Sequence, residues 1–405
     1  MNVPQAHKKR PSGNPTRRDR SVAFVVARLS SSRLPKKQFR LIGDRSMLQW
    51  IIDSLRACDE LDDIVIATVA EKENEPLREF ASMQGIKCFW YKGEVDHVTT
   101  RLRRAAEEFD AEICVLISGD CPLIYAPAIN QMVQESRRNP EWDSIFAEKG
   151  DNGEKSCIQG VRIYRKSAWQ RADDLSELPE LKEHQFPIIP MRPDLFQSLA
   201  IQMPKNLCAR FHRLSVDTLS DLEFMNLVYN ELKKRDEDFD LPNALQLLKE
   251  KPEIKDVNVH VHQQEIGEKI RRTLIAVDTG AEFEFDHLFQ HIEIARKLVE
   301  RKGWPVTFLI DDEHACQLLN GKGFKALWGS LWRNDDGGAT RLNSNSLSEE
   351  VSQFDLVLTD TVHKTLSRNW SDVFSNREVI CIHGVTENWP GFLEQIGNDT
   401  RSGRP

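Results

Sequence analysis

The chain has 405 residues, 40% hydrophobic and 29% charged, with a formal net charge of −8. That balance excludes a fibrous or disordered chain, and the acidic excess argues against nucleic acid as the main partner. No run approaches the roughly 18 apolar residues of a membrane span, so none is expected.

Residues 1–20 carry Lys8, Lys9, Arg10, Arg17, Arg18 and Arg20 without an apolar segment. They read as a disordered basic arm rather than a secretory signal. Strand–helix alternation follows. Val22–Ala27, Ile64–Thr68, Ile86–Trp90 and Ile113–Ser118 are short apolar runs rich in β-branched residues and are read as buried strands. Met47–Ala57, Glu73–Met83 and Val98–Phe109 carry apolar residues at helical spacing. Such repeated units imply an α/β fold with a mostly parallel sheet covered on both faces.

After Asp143 the alternation weakens, with strands expected around Ile158–Tyr164 and Leu199–Met203 and helices at Leu219–Lys234 and Pro242–Glu250. A domain over 21–260 exits through a linker at 261–272, where His260 and His262 flank a valine and are expected to face solvent. A second, smaller α/β domain over 273–395 is read from strands at Leu274–Val277, Pro305–Ile310, Phe324–Leu327, Asp355–Leu358 and Val379–Ile382. Its helices are Phe285–Val299 and Ala315–Leu319, its loop Asn334–Ser348, and 396–405 is a flexible tail. The 8 cysteines are scattered without a C-x-x-C pair, so reduced thiols in a cytoplasmic protein are expected.

Ligands of open α/β sheets collect at the carboxyl ends of the strands. The loop leaving the first strand, Ala27–Lys37, holds Arg28, Arg33, Lys36 and Lys37 with Ser30, Ser31 and Ser32. Guanidinium groups grip phosphate oxygens in a fork and an ammonium acts as a point charge, so this loop is a phosphate-site candidate. At the end of the fourth strand, Gly119 and Pro122 shape a turn that projects Asp120. A strand-end carboxylate suits Mg²⁺, which takes oxygen ligands and keeps phosphates and waters in its shell. Asp217 ends a later strand-like run and is the second candidate ligand, with Asp221 the expected helix cap. Gly150–Ser156 lacks the glycine spacing of a P-loop, and no G-x-G-x-x-G follows a strand.

Together these segments resemble the cytidylyltransferases that activate acidic sugars, the CMP-sialic acid synthetase-like group, in the branch named for spore-coat polysaccharide biosynthesis protein F. Arg28, Ser31, Arg33, Leu34, Pro35 and Lys37 match a family loop A-R-x-G-S-x-R-L-P-x-K, while Ser30 and Lys36 stand where glycine is usual. Gly119–Leu123 matches G-D-C-P-L, Asp96 and Arg101 a helix start, Glu183-His184 an E-H pair and Val216–Thr218 a late V-D-T. The resemblance covers roughly residues 22 to 260. It implies a Rossmann-like nucleotide-diphospho-sugar transferase domain and Mg²⁺-dependent transfer from CTP to an acidic sugar in surface-polysaccharide or glycan assembly. Arg28, Lys37 and Asp120 would be catalytic; Ala27, Arg28, Ser31, Ser32, Arg33, Lys37, Asp96 and Arg101 would bind the nucleotide; Asp120 and Asp217 would hold the metal. A homodimer is the assembly the resemblance suggests.

Val277–Gly280 with Asp286–His291 resembles the opening of the GT-B type group of spore-coat polysaccharide protein G and the pseudaminic-pathway hydrolases, with His287 as its candidate residue. His287 and His291 have the spacing of a metal pair but lack the glutamate of H-E-x-x-H, and a structural pair is the favoured reading. Two further functions fit the sequence: a nucleotide-sugar glycosyltransferase, although Asp120 is followed by Cys121-Pro122 rather than completing a D-x-D, and a catalytically impaired nucleotide-binding scaffold.

Overall fold

Alternation along the first apolar run dictates its role. Strand β1 (Ser21–Val26) turns Ala23 and Val25 to one face of the sheet and Val22 and Phe24 to the other, and all four are fully buried. A strand covered on both sides belongs to the interior of a parallel sheet. The computed structural model describes residues 18–148, 155–209, 213–262, 270–277, 285–310, 312–328, 353–359 and 378–381. Most of the expected basic arm, the tail and the Asn334–Ser348 loop lie outside the described residues.

In chain order the first unit comprises β1, α1 (Met47–Arg56), β2 (Asp63–Val69), α2 (Glu75–Met83), β3 (Lys87–Tyr91), α3 (Val98–Glu108), β4 (Ile113–Ser118) and α4 (Ala126–Arg138). It continues through β5 (Ser144–Glu148), β6 (Val161–Arg165), α5 (Lys166–Leu175), β7 (Ser198–Gln202), α6 (Leu219–Lys234) and α7 (Leu241–Glu250). The seven strands lie in the order β7-β5-β6-β4-β1-β2-β3. β1 pairs in parallel with β2 and β4, and β6 runs antiparallel to β4 and β5. Helices α1, α2, α4, α6 and α7 pack on one face and α3 and α5 on the other.

Local chemistry sets the helix starts. Ser46 Oγ accepts the Gln49 N–H at 3.2 Å and opens α1, whose Met47, Leu48, Ile51, Ile52 and Leu55 are buried at helical spacing. Thr218 caps α6, and Asp221 returns a hydrogen bond to the Thr218 N–H, a reciprocal capping box. The second sheet holds β8 (Thr273–Val277), β9 (Val306–Ile310), β10 (Lys325–Trp328), β11 (Leu356–Thr359) and β12 (Glu378–Cys381). They are all parallel, in the order β10-β9-β8-β11-β12. Helices α8 (Phe285–Lys302) and α9 (Glu313–Gly321) flank it. This is the expected α/β class with a second, smaller parallel sheet.

Elements α4, β5 and α5 have no counterpart in the sequence reading. Ala128, Ile129, Met132 and Val133 do bury a helical stripe in α4, but it follows the Pro122 turn, and the strand-like β5 has only Ser144 and Ile145 fully buried. His260 does not face solvent alone: its Nε2 lies 2.7 Å from Glu300 Oε2 in α8. No disulfide links the seven described cysteines to one another.

Candidate active site

The strand order reverses between β1 and β4, where the crevice of an open α/β sheet forms. The two strand ends approach closely there. Gly119 N–H donates to Val26 O at 3.0 Å, and a Cβ at position 119 would fall 2.4 Å from that oxygen, so only glycine permits the contact.

The loop after β1 is pinned from beneath. Leu29 and Leu34 are fully buried, Leu29 N–H donates to Asn74 Oδ1 at 2.8 Å, and Lys36 N–H closes on Leu29 O at 3.2 Å. Lys36 takes the left-handed conformation, φ 53°, and turns the chain into a short 3-10 helix that starts at Lys37. Glycine is the natural occupant of such a position. Ser30 is exposed and does not line the cavity, so its side chain leaves the crevice free.

Arg28, Ser31, Ser32, Arg33 and Lys37 from this loop line a cavity of about 510 Å³ together with Arg101, Asp120 and Asp217. Lys37 is its centre. Its Nζ lies 3.0 Å from Asp120 Oδ2 and 2.7 Å from Asp217 Oδ1. Asp120 also accepts from the Ser118 hydroxyl at 2.7 Å, and its carbonyl takes the Val216 N–H at 2.8 Å, which lays the Asp217 segment alongside. Asp217 receives Arg33 Nη2 at 3.3 Å and Arg213 Nη2 at 2.6 Å. Arg213 is fixed in turn by Asp221, 2.9 Å from its Nε.

Burial alone would push the Asp217 carboxyl up, but Lys37, Arg33 and Arg213 outweigh it and hold it well below the usual range. Burial would likewise lower Lys37, yet Asp120 and Asp217 raise it above an ordinary lysine. Both stay charged at neutral pH.

Arg101 is different. It is 1% exposed, and its Nε and Nη1 have no hydrogen-bond partner among the described residues; nor has Arg33 Nη1. Burial, with Arg28 nearby, pushes the Arg101 guanidinium down to about 10. Buried donors without an acceptor are costly unless something else supplies one. Arg101 lines the cavity with three further cations, Arg28, Arg33 and Lys37, a set that suits a polyanion.

Two of the expected nucleotide residues stand apart. Ala27 is buried beneath the loop, and Val26 lines the cavity instead. Asp96 does not line it either: its exposed carboxylate pairs with Arg28 at 3.4 Å. His287 falls in the first turn of α8, and its side chain lies outside the described residues. Sequence reasoning assigned no role to Arg213, Asn74 or Gln38, whose buried Oε1 lacks a partner among the described residues. No motif singles out Arg213 or Asn74, because each acts through a fold contact.

A second cavity of about 670 Å³ adjoins the first through His184 and Gln185. Its wall is aromatic and apolar, from Phe146, Tyr164, Phe186 and Met191, with Arg162 stacked 5.5 Å over the Phe146 ring.

The sequence profile of a family described as cytidylyltransferase matches residues 22–234, more than half of the chain. An uncharacterized protein of Methanocaldococcus jannaschii is 29% identical over 61% of this chain and 98% of its own. The spore coat polysaccharide biosynthesis protein SpsF of Bacillus subtilis is 24% identical over 53% of this chain and 88% of its own. The 3-deoxy-manno-octulosonate cytidylyltransferase of Acidobacterium capsulatum is 35% identical over 25% of this chain and 40% of its own. Among solved structures, a cytidylyltransferase from Leptospira borgpetersenii superposes with a TM-score of 0.52 at 21% identity, covering 61% of this chain and all of that one. That likeness establishes the fold.

Proposed function

Because the chain belongs to the cytidylyltransferase family, we propose that it forms a CMP-sugar from CTP and an acidic sugar, releasing pyrophosphate, in surface-polysaccharide or glycan assembly. The observation that carries this reading is the convergence of Arg28, Arg33, Lys37 and Arg101 with Asp120 and Asp217 on one cavity. A triphosphate supplies the oxygens that such a set of cations binds. Arg28, Arg33, Lys37 and Arg101 bind it and orient the α-phosphorus. A sugar hydroxyl oxygen bonds to that phosphorus, the bond to the bridging oxygen breaks, pyrophosphate leaves and the hydroxyl proton is lost. Positioning and charge neutralisation supply the catalysis.

The residues fit a magnesium ion. Asp120 and Asp217 already place one oxygen each on a single cation, Lys37 Nζ. A hard cation accepts such oxygens and leaves its other positions to phosphate and water. Among the described residues no cluster of three or more candidate ligands occurs, so the protein would contribute two carboxylates. When bound, the ion would neutralise the triphosphate and acidify the attacking hydroxyl.

The adjoining cavity suits the sugar, with Arg162 available to a carboxylate and the aromatic wall to the ring. For the second unit, the all-parallel order β10-β9-β8-β11-β12 supports the reading as a GT-B half.

The deciding experiment incubates the purified full chain with CTP, Mg²⁺ and a panel of acidic and neutral sugars and measures pyrophosphate. Release with an acidic sugar, cut at least about 100-fold by Asp120→Asn, is expected. Release that is independent of the sugar, or unchanged in Asp120→Asn, rejects the reading.

A further inference from the structure

The second unit is not a detached appendage: its helices α8 and α9 touch both segments that bring Lys37 and Asp217 together. Helix α6 starts two residues after Asp217, and its first turn needs acceptors for its free N–H groups. Thr218 Oγ1 takes the Asp221 N–H at 3.3 Å. The Ser220 N–H instead donates to Glu300 Oε1 at 3.3 Å, and the Ser220 hydroxyl donates to the same oxygen at 2.7 Å. Glu300 belongs to α8, 80 residues further on, and is 4% exposed.

Arg296 Nε donates to the same Oε1 at 3.0 Å, and His260 Nε2 lies 2.7 Å from the other oxygen, Oε2. Arg296 also reaches Ser220 Oγ at 2.9 Å and pairs with Glu223 of α6. Leu219 packs against the cores of both units. On the other segment, Arg40 follows the 3-10 helix of Lys37 and donates to Gly321 O at 3.3 Å and Asn320 O at 3.5 Å, at the end of α9.

We infer that Glu300 is a positioning residue: from the second unit it completes the cap of α6 and so holds Asp217 against Lys37. A carboxylate at a helix N-terminus satisfies free N–H groups and opposes the helix dipole. Here it also fixes Ser220, next to the Asp221 carboxylate that orients Arg213 and receives the Asp217 and Thr218 N–H groups at 3.0 Å. The effect on turnover rests on the cytidylyl-transfer reading; the effect on the fold does not.

The test compares full-length Glu300→Ala, Glu300→Gln and Ser220→Ala with wild type. Hydrogen–deuterium exchange should show protection across residues 216–222 falling about tenfold in Glu300→Ala, with β1 and β4 unchanged. Glu300→Gln keeps an acceptor oxygen and should restore most of it. In the pyrophosphate assay kcat should fall roughly 10- to 100-fold in Glu300→Ala, with the KM for CTP altered far less, because Arg28, Arg33 and Arg101 are not held by Glu300. Should Glu300→Ala fail to fold, Ser220→Ala removes the shorter of the two contacts from the other side and should loosen the same residues. Unchanged exchange at 216–222 in whichever of these two variants folds overturns the inference. Altered exchange in a chain that releases no pyrophosphate with any sugar upholds the positioning and dismisses the transfer reading instead.

Discussion

Lys37 Nζ sits 2.7 Å from Asp217 Oδ1, although 180 residues separate them in the chain. The same ammonium lies 3.0 Å from Asp120. One cation therefore bridges two carboxylates, Asp120 after the end of β4 and Asp217 in the non-strand segment that leads into α6, and the crevice is built around it.

Removing that bridge leaves two acidic groups facing each other. Lys37→Met should lower the unfolding free energy by roughly 3 kcal/mol, the usual cost of taking one partner from a buried pair. Arg33 and Arg213 still neutralise Asp217, so the protein should fold. Pyrophosphate release should drop at least about 100-fold. Urea unfolding and the CTP assay check both; wild-type stability in the variant would show that the bridge contributes nothing.

The bridge also sets a pH signature. Asp217 is depressed in the fold, so its contribution is present above the unfolded carboxyl value and fades as pH falls through the folded one. Lys37 is raised, so its contribution is present below the unfolded lysine value and fades as pH rises through the folded one. The stability difference between wild type and Lys37→Met should therefore stay flat from about pH 5 to about pH 9 and narrow progressively below about pH 4. A step near about pH 7 in that difference would assign it to another group.

Under the cytidylyl-transfer reading, Arg101 trades stability for binding. Its buried guanidinium is pushed down to about 10, chiefly by burial and then by Arg28. Arg101→Met should raise the melting temperature of the free protein while weakening CTP binding by about 10- to 100-fold. Differential scanning fluorimetry with and without CTP reads both quantities. A variant that is destabilised and binds CTP normally would make Arg101 a structural residue.

The family glycine missing at position 36 can be restored. Lys36 holds φ 53°, a conformation costing a side chain about 1–2 kcal/mol. Glycine removes that cost but gains freedom in the unfolded chain worth up to about 1 kcal/mol. Lys36→Gly should thus be neutral to about 1 kcal/mol more stable, with pyrophosphate release retained. Loss of turnover in this variant would mean that the Lys36 side chain itself serves the site.

Much of the first unit was legible because its signals are local. Short apolar runs rich in β-branched residues such as Ile113–Ser118 read as strands buried on both faces, and the turn Gly119–Leu123 marks where β4 delivers Asp120. The four cations of the Arg28–Lys37 loop are visible in the sequence as a charge anomaly in an acidic chain. β5, where only Ser144 and Ile145 are buried, was not legible, and α5 went unread although Ala168, Trp169 and Ala172 are buried at helical spacing.

What the sequence determined by itself was the class of fold and the chemical inventory: most of the strands, the basic loop that leaves β1 and the acid that follows β4. Tertiary structure alone decided the partners. It made Lys37 the bridge between Asp120 and Asp217, took Asp96 out to a surface pair with Arg28, left Arg101 donors unfilled, and gave His260 and Ser220 to Glu300. The reason is physical. A strand or helix follows from side chains a few residues apart, whereas a charged contact across 80 or 180 residues depends on how whole sheets and helices pack.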